Sequence, residues 1–180
     1  MNRFVFPAGI LDEDIDERKD EDSRQERFLI FTIDNNFYGL NVRFVTGITG
    51  ARPVTRVPGT PSFVKGIFNL RGKIVPVIDM RLIFGKNESQ YSEKKCVILV
   101  EASSVNTGLV VDTVNDVSFV NDDLISPHLA DGTGGFESYC IKGVIKAGDA
   151  IKTEGKDIFL LDAFRLLETE KTETIGDKNP

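Results

Sequence analysis

Along most of this chain the apolar positions come in short runs, separated every few residues by polar or turn-forming positions. In the first run Phe28, Ile30 and Thr32 alternate with Leu29, Phe31 and Ile33, so both faces are largely apolar. That pattern predicts a strand buried on both sides. Asp34-Asn35-Asn36 predicts a turn, and residues 37–40 a returning strand. Val42, Val45 and Ile48 then fit a short helix leading into a strand, and Gly47 and Gly50 weaken any longer helix. Pro53, Pro58, Gly59 and Pro61 mark a loop.

Residues 65–84, KGIFNLRGKIVPVIDMRLIF, carry the clearest local signals. Residues 67–70 predict one strand, Arg71-Gly72 the turn of a hairpin, and residues 73–78 the return. Gly72 can take the positive φ such a turn needs without a Cβ clash. Pro76 has no N–H, which predicts an edge strand or a bulge at that point. Asp79 stands at the N-cap position of a short amphipathic helix over residues 80–84.

The same plan returns later. Residues 155–162 run from Gly-Lys through an apolar strand to Asp162, with the spacing that joins Gly72-Lys73 to Asp79, and a helix over residues 163–167 follows. Lys142-Gly143-Val144 echoes Lys65-Gly66-Ile67. Upstream, residues 28–31 and Gly39 match residues 97–100 and Gly108 at one offset, which also lays Val45 on Val114 and Ile48 on Val117. The ordered series of matches indicates an internal duplication, and two copies make a paired structure rather than a solenoid. The second copy predicts strands over residues 96–102 and 107–111, with residues 112–120 repeating the helix-or-strand segment.

The fold class expected is mainly β: two packed five-stranded small barrels with short helices, one of them C-terminal. Barrel closure suits strands this short because it removes exposed edges. Residues 27–168 form the folded part, with barrel 1 at about 27–92 and barrel 2 at about 93–168, joined through a polar connector over residues 85–95. Residues 169–180 read as a flexible tail.

Charge sharpens this division. The formal charge is −6, and residues 12–26 alone hold nine acids against three bases. A segment so charged buries too little apolar surface to order itself, so residues 1–26 read as a disordered tail. The other readings are a helix extending the fold, or a docking segment through Phe4, Phe6 and Ile10. The remainder is nearly neutral, which argues against a clustered basic surface for nucleic acid. Apolar runs are too short to span a bilayer, and the N-terminus lacks the basic start and long apolar stretch of a signal peptide. Cys96 and Cys140 have no motif spacing and read as strand thiols of a reducing compartment, so the cytoplasm is expected.

Catalytic signals are sparse. His128, the one histidine, sits in a loop with no Ser or Cys nucleophile near it in sequence. One His and two Cys are too few for a paired zinc site. The Asp122-Asp123 pair reads as solvated loop charge, and residues 131–135 hold glycines too badly placed for a phosphate cradle. No catalytic residue, metal or cofactor is assigned, and a non-enzyme is expected. Lys65, Arg71, Lys73 and Arg81 place four cations around the first hairpin. They either discourage strand-to-strand aggregation or, through Arg71, recognise a carboxylate or carbonyl of a partner, with Phe44 and Val45 as a neighbouring anchor.

The segments FLIFTIDNNFYGLNV, VTRVPGTPSFVKGIFNLRGKIVPVIDMR and GLVVDTVNDV resemble the CheW-like coupling proteins of bacterial chemotaxis over residues 27–168. Asn69-Leu70-Arg71-Gly72 with Ile74-Val75-Pro76 and Asp79 is the most specific part. The resemblance implies two packed Src-homology-type barrels and a non-catalytic adaptor. Its implied partners are the regulatory domain of the histidine kinase CheA and the cytoplasmic tip of methyl-accepting chemoreceptors, in cytoplasmic arrays at the membrane. It places Val45, Gly66, Asn69 and Arg71 in a receptor-binding groove, and gives Gly72, Asp79, Gly143 and Asp162 structural or turn roles. Gly47 stands where many relatives carry Glu, so the acidic partner of Arg71 is missing at that position. Residues 146–154 read as inserted. The alternatives are an adaptor of a different sensory array, such as surface motility, and more distantly a nucleic-acid-binding small barrel or an enzyme.

Overall fold

The structure is a computed structural model that describes residues 25–89, 94–129, 134–148 and 153–168. Residues 1–24 of the expected acidic tail, the C-terminal tail, and part of the 146–154 insertion lie outside the described residues, whereas Gln25 and Glu26, expected in the tail, belong to the first strand.

The chain order begins with strands β1 (Gln25–Ile33) and β2 (Asn36–Asn41), a 3₁₀ turn at Val42–Phe44, and β3 (Val45–Gly50). Next come β4 (Val64–Leu70), β5 (Lys73–Asp79) and helix α1 (Met80–Ile83). The second half runs through β6 (Cys96–Ala102), β7 (Val105–Val111) and β8 (Thr113–Asn121) to β9 (Ile125–Pro127). It ends with α2 (Gly135–Cys140), β10 (Ile141–Ile145), β11 (Ile158–Leu161) and α3 (Ala163–Leu167). The sequence did not signal α2, whose residues follow a glycine-rich loop.

Strand pairing keeps the duplication but redraws the division of the chain. One sheet has the order β8-β1-β2-β11-β10-β9 and the other β3-β6-β7-β5-β4. The boundary expected near residue 92 therefore does not separate the sheets. Residues 45–111 build the five-stranded sheet, while the β1–β2 hairpin joins β8 to β11 in the six-stranded one. The two halves have exchanged hairpins reciprocally. β1 takes β8 on its outer side and β2 takes β11 in parallel, as β6 takes β3 and β7 takes β5. The sheets curl around small cores but do not close into rings, which corrects the expectation of closed barrels.

This topology explains the two-sided apolar pattern of β1. Phe28 and Ile30 face a small core inside their own sheet with Phe37, Ile145 and Leu160. Leu29, Phe31 and Ile33 face the large core between the sheets, with Tyr38, Met80, Ile98 and Leu109. A third cluster, around Phe68, Val77 and Val97, fills the five-stranded sheet. Alternate residues point to opposite faces of a strand, so a strand that serves two cores must be apolar at nearly every position.

Pro76 is not on an edge, because β5 lies between β4 and β7. The position is tolerated for a different reason. Its cross-strand partner Ile67 turns both its N–H and C=O outward to Thr55, at 2.9 and 2.8 Å, so the Pro76 nitrogen faces away from β4. On the β7 side the ladder begins only at Val77, opposite Gly108.

Candidate functional site

The β4–β5 hairpin ends in a tight turn with positive φ at both central residues, 51° at Arg71 and 86° at Gly72. That is the twist-matched hairpin turn, which glycine accepts freely and arginine does not. Asn69 supports it: its Oδ1 accepts the Gly72 N–H at 2.8 Å. The sequence thus fixes a projecting loop in which Asn69 orders the backbone and Arg71 is displayed. Arg71 is exposed and, among the described residues, has no hydrogen-bond or ion-pair partner.

The four cations read together in the sequence part company here. Arg81 points inward, with its side chain 19% exposed, and Lys65 is 11% exposed between Asp79 at 3.6 Å and Glu88 at 2.6 Å. Both sit beside carboxylates, where pairing offsets the cost of partial burial. Only Arg71 and Lys73 remain exposed at the tip.

Val45 opens β3, half-buried against the core between the sheets. Its sequence neighbour Thr46 lines a small cleft with Leu70, Lys73, Leu99 and Asn106, so the start of β3 and the hairpin tip lie side by side. Val45 itself faces the core between the sheets, so it is Thr46 that meets Leu70 and Lys73 of the hairpin across the cleft. Gly47 puts no carboxylate into it.

Gly66 is buried at the other end of β4, with φ +145°, where a Cβ would come 2.4 Å from the Thr55 carbonyl oxygen. Gly143 holds the matching place in β10: a Cβ there would meet Ile125 at 2.7 Å and the Ser126 oxygen at 3.2 Å. Each glycine adjoins a register shift and lets a short neighbouring segment pack onto its strand. Asp79 caps α1 by accepting from the N–H groups of Arg81 and Leu82, at 3.0 and 3.4 Å. Asp162 caps α3 through Phe164 and Arg165, at 2.9 and 3.2 Å. The two caps also use their own N–H alike, donating to Phe63 and Cys140 carbonyls.

Two polar clusters escaped the sequence reading. Asp112, the single residue between β7 and β8, accepts from Arg81 at 2.8 Å, from Lys95, and from the Asp34 N–H at 2.8 Å. Arg81 also reaches Asp34 at 3.0 Å. Burial pushes the Asp112 carboxyl upward, but the Arg81 and Lys95 cations and the Asp34 amide outweigh it and hold the pKa at about 2. In the second cluster the buried Tyr38 hydroxyl donates to Glu137, which also pairs with Lys86 at 2.8 Å. Burial, reinforced by Glu137, keeps the Tyr38 phenol protonated far above its usual range. The charged residues of both clusters come from widely separated positions, so local spacing carried no signal for them.

Folding does bring a serine to His128: its Nε2 lies 3.1 Å from the Ser138 hydroxyl on α2. Glu137, the adjacent acid, is committed to Tyr38 and Lys86. Among the described residues no group of three or more His, Cys, Asp or Glu is arranged to hold a metal. No helix among them is long and apolar enough to cross a membrane. Cys96 opens β6, whereas Cys140 ends α2 rather than lying in a strand; both are free.

Against known families, the CheW-like domain matches residues 27–171. The chain belongs to the CheW-like domain family. Among CheW-like relatives, a chemotaxis protein CheW of Klebsiella aerogenes is 42% identical over 102 residues, covering 57% of this chain and 61% of that protein. That of Rhizobium meliloti is 28% identical over 145 residues, covering 81% and 89%. The crystal structure of the scaffolding protein TtCheW from Thermoanaerobacter tengcongensis superposes with a TM-score of 0.65 at 31% identity, covering 76% of this chain and 88% of that one.

Proposed function

We propose that this chain is a non-catalytic chemotaxis adaptor that joins methyl-accepting chemoreceptors to the histidine kinase CheA in cytoplasmic arrays at the membrane. The observation that carries the reading is the family match across almost all of the described residues, from Arg27 onward. The β4–β5 hairpin supplies the chemistry. A turn ordered by Asn69 holds out the Arg71 guanidinium, which has no partner among the described residues and suits a carboxylate or carbonyl of a partner, while half-buried Val45 offers a separate apolar contact. Gly66 contributes by keeping β4 in register, not by contact. An adaptor that binds two partners at separate surfaces raises the effective concentration of each for the other.

Calorimetric titration of the full chain with the CheA regulatory domain, and separately with a receptor tip fragment, tests this. Binding to both is expected, with Arg71→Ala weakening the receptor side while the melting temperature stays put. Binding to neither would refute the adaptor reading.

A further inference from the structure

The β1–β2 hairpin fills a slot between β8 and β11, as two inner strands of the six-stranded sheet. β1 pairs with β8 from Gln25 opposite Asn121 to Thr32 opposite Thr113, and β2 pairs with β11 in parallel from Phe37 to Leu40. Phe28, Ile30 and Phe37 fill the small core of that sheet, and Leu29, Phe31 and Tyr38 enter the large one. The turn of the hairpin is held from outside as well. Asp34 accepts from Arg81 at 3.0 Å and donates its N–H to Asp112 at 2.8 Å, while the Asn35 carbonyl accepts from Lys156 at 3.0 Å. These ladder and polar partners all lie at Arg81 or later in the chain. The hairpin forms no ladder with the five-stranded sheet that follows it directly.

One short segment ties the hairpin to that sheet: the 3₁₀ turn at Val42–Phe44. The backbone on either side is extended, with φ −58° and ψ 127° at Asn41 and φ −91° and ψ 115° at Val45. None of the three turn residues is fully buried. Two local hydrogen bonds hold the turn, from the Arg43 N–H to Asn41 Oδ1 at 3.0 Å and from the Val45 N–H to the Val42 carbonyl. Straightening three residues therefore turns β2 and β3 into one extended run at the loss of those two bonds. The rise per residue grows from about 2.0 to about 3.3 Å, which carries the hairpin away from its own body.

We propose that the slot between β8 and β11 also accepts the β1–β2 hairpin of a second copy of this chain, giving a dimer with reciprocally exchanged hairpins. Each hairpin makes in its partner the pairs it makes at home, so the two forms differ in the hinge and in the cost of uniting two chains. The hairpin's own tether gives it an effective concentration in the millimolar range, so the single chain prevails in dilute solution. Exchange is favoured where chains fold side by side at high concentration. Opening a folded chain breaks both ladders and uncovers both cores, so the two forms interconvert slowly once made. The adaptor reading is not needed for this inference and is not tested by it.

The test is to refold the full chain from urea at about 10 µM and at about 1 mM, then dilute both to one concentration and size them by light scattering. The dimer fraction is expected to be at least about tenfold greater after refolding at the higher concentration, and to persist on dilution. Arg43→Pro removes the N–H that Asn41 accepts and biases Val42 toward extended backbone, so it should raise the dimer fraction by about threefold. A cysteine pair identifies the dimer. Gln25→Cys and Asn121→Cys, with Cys96→Ser, place two thiols opposite each other in the β1–β8 ladder. In an exchanged dimer the oxidised pair joins the two chains, which stay together in denaturant. A dimer that separates into single chains in denaturant after oxidation is a surface contact, and overturns the inference. So does the absence of a dimer at both concentrations in the parent chain.

Discussion

Asp112→Asn would remove one negative charge from the point where the chain crosses between the sheets. Arg81, Lys95 and Asp34 meet there, with the Asp112, Arg81 and Lys95 side chains 17%, 19% and 16% exposed. Asparagine can still accept the Asp34 N–H, but it leaves Lys95 facing a neutral amide and Arg81 with the Asp34 carboxylate alone. The depressed carboxyl gives the scale: a fall from 3.8 to about 2 corresponds to roughly 2 kcal/mol of preference for the charged form in the folded chain. The partial burial of Lys95, left without its carboxylate, raises the expected loss to about 2–3 kcal/mol, or roughly 4–12 °C in Tm for a domain this size. Because the folded value lies below the unfolded one, the stabilisation is fully present above about pH 4 and fades as pH falls toward 2. Urea melts of both proteins followed by circular dichroism, in steps from pH 7 down, would read the gap between them. A gap near zero at pH 7, or one that persists undiminished at pH 2, would refute the reasoning.

Two further outcomes follow from the backbone and from burial. Gly66→Ala should cost about 2–4 kcal/mol in urea, since a Cβ 2.4 Å from the Thr55 oxygen at φ +145° strains both strand and neighbour; a loss under about 0.5 kcal/mol would sink that account. Burial, with Asp162 adding to it, pushes the Cys140 thiol well above its usual range. A thiol reagent at pH 8 should therefore modify Cys96 in the native protein and reach Cys140 only on unfolding. Equal rates at the two sites would contradict its burial.

Much of the fold was written locally. Arg71-Gly72, Asp79, Asp162 and the two-sided apolar pattern of residues 28–33 each depend on neighbours within a few positions, and each reappears as a turn, a cap or a doubly buried strand. The offset that laid Gly39 on Gly108 proved structural, since each pairs with a parallel strand from the opposite half. What the sequence hid was which half supplies the partner. A repeat predicts like units, and both self-contained and exchanged pairings satisfy the same hydrophobic pattern. Arg81 is the matching failure at the candidate site. As a residue two positions past a hairpin strand it read as surface charge, and only the approach of Asp34 and Asp112 across the chain makes it part of an inter-sheet anchor.

The exchanged hairpins also set a timetable for synthesis. The five-stranded sheet needs only residues 45–111, so it can assemble as soon as that stretch has been made. The β1–β2 hairpin is made before it, yet its outer edges are covered only by β8 and β11, the latter ending at Leu161. At about 5–20 residues per second, the interval from Asn41 to Leu161 is roughly 6–24 s. Through that interval the first hairpin among the described residues is an apolar ribbon with two open edges that waits on β11, the last of the described strands to emerge.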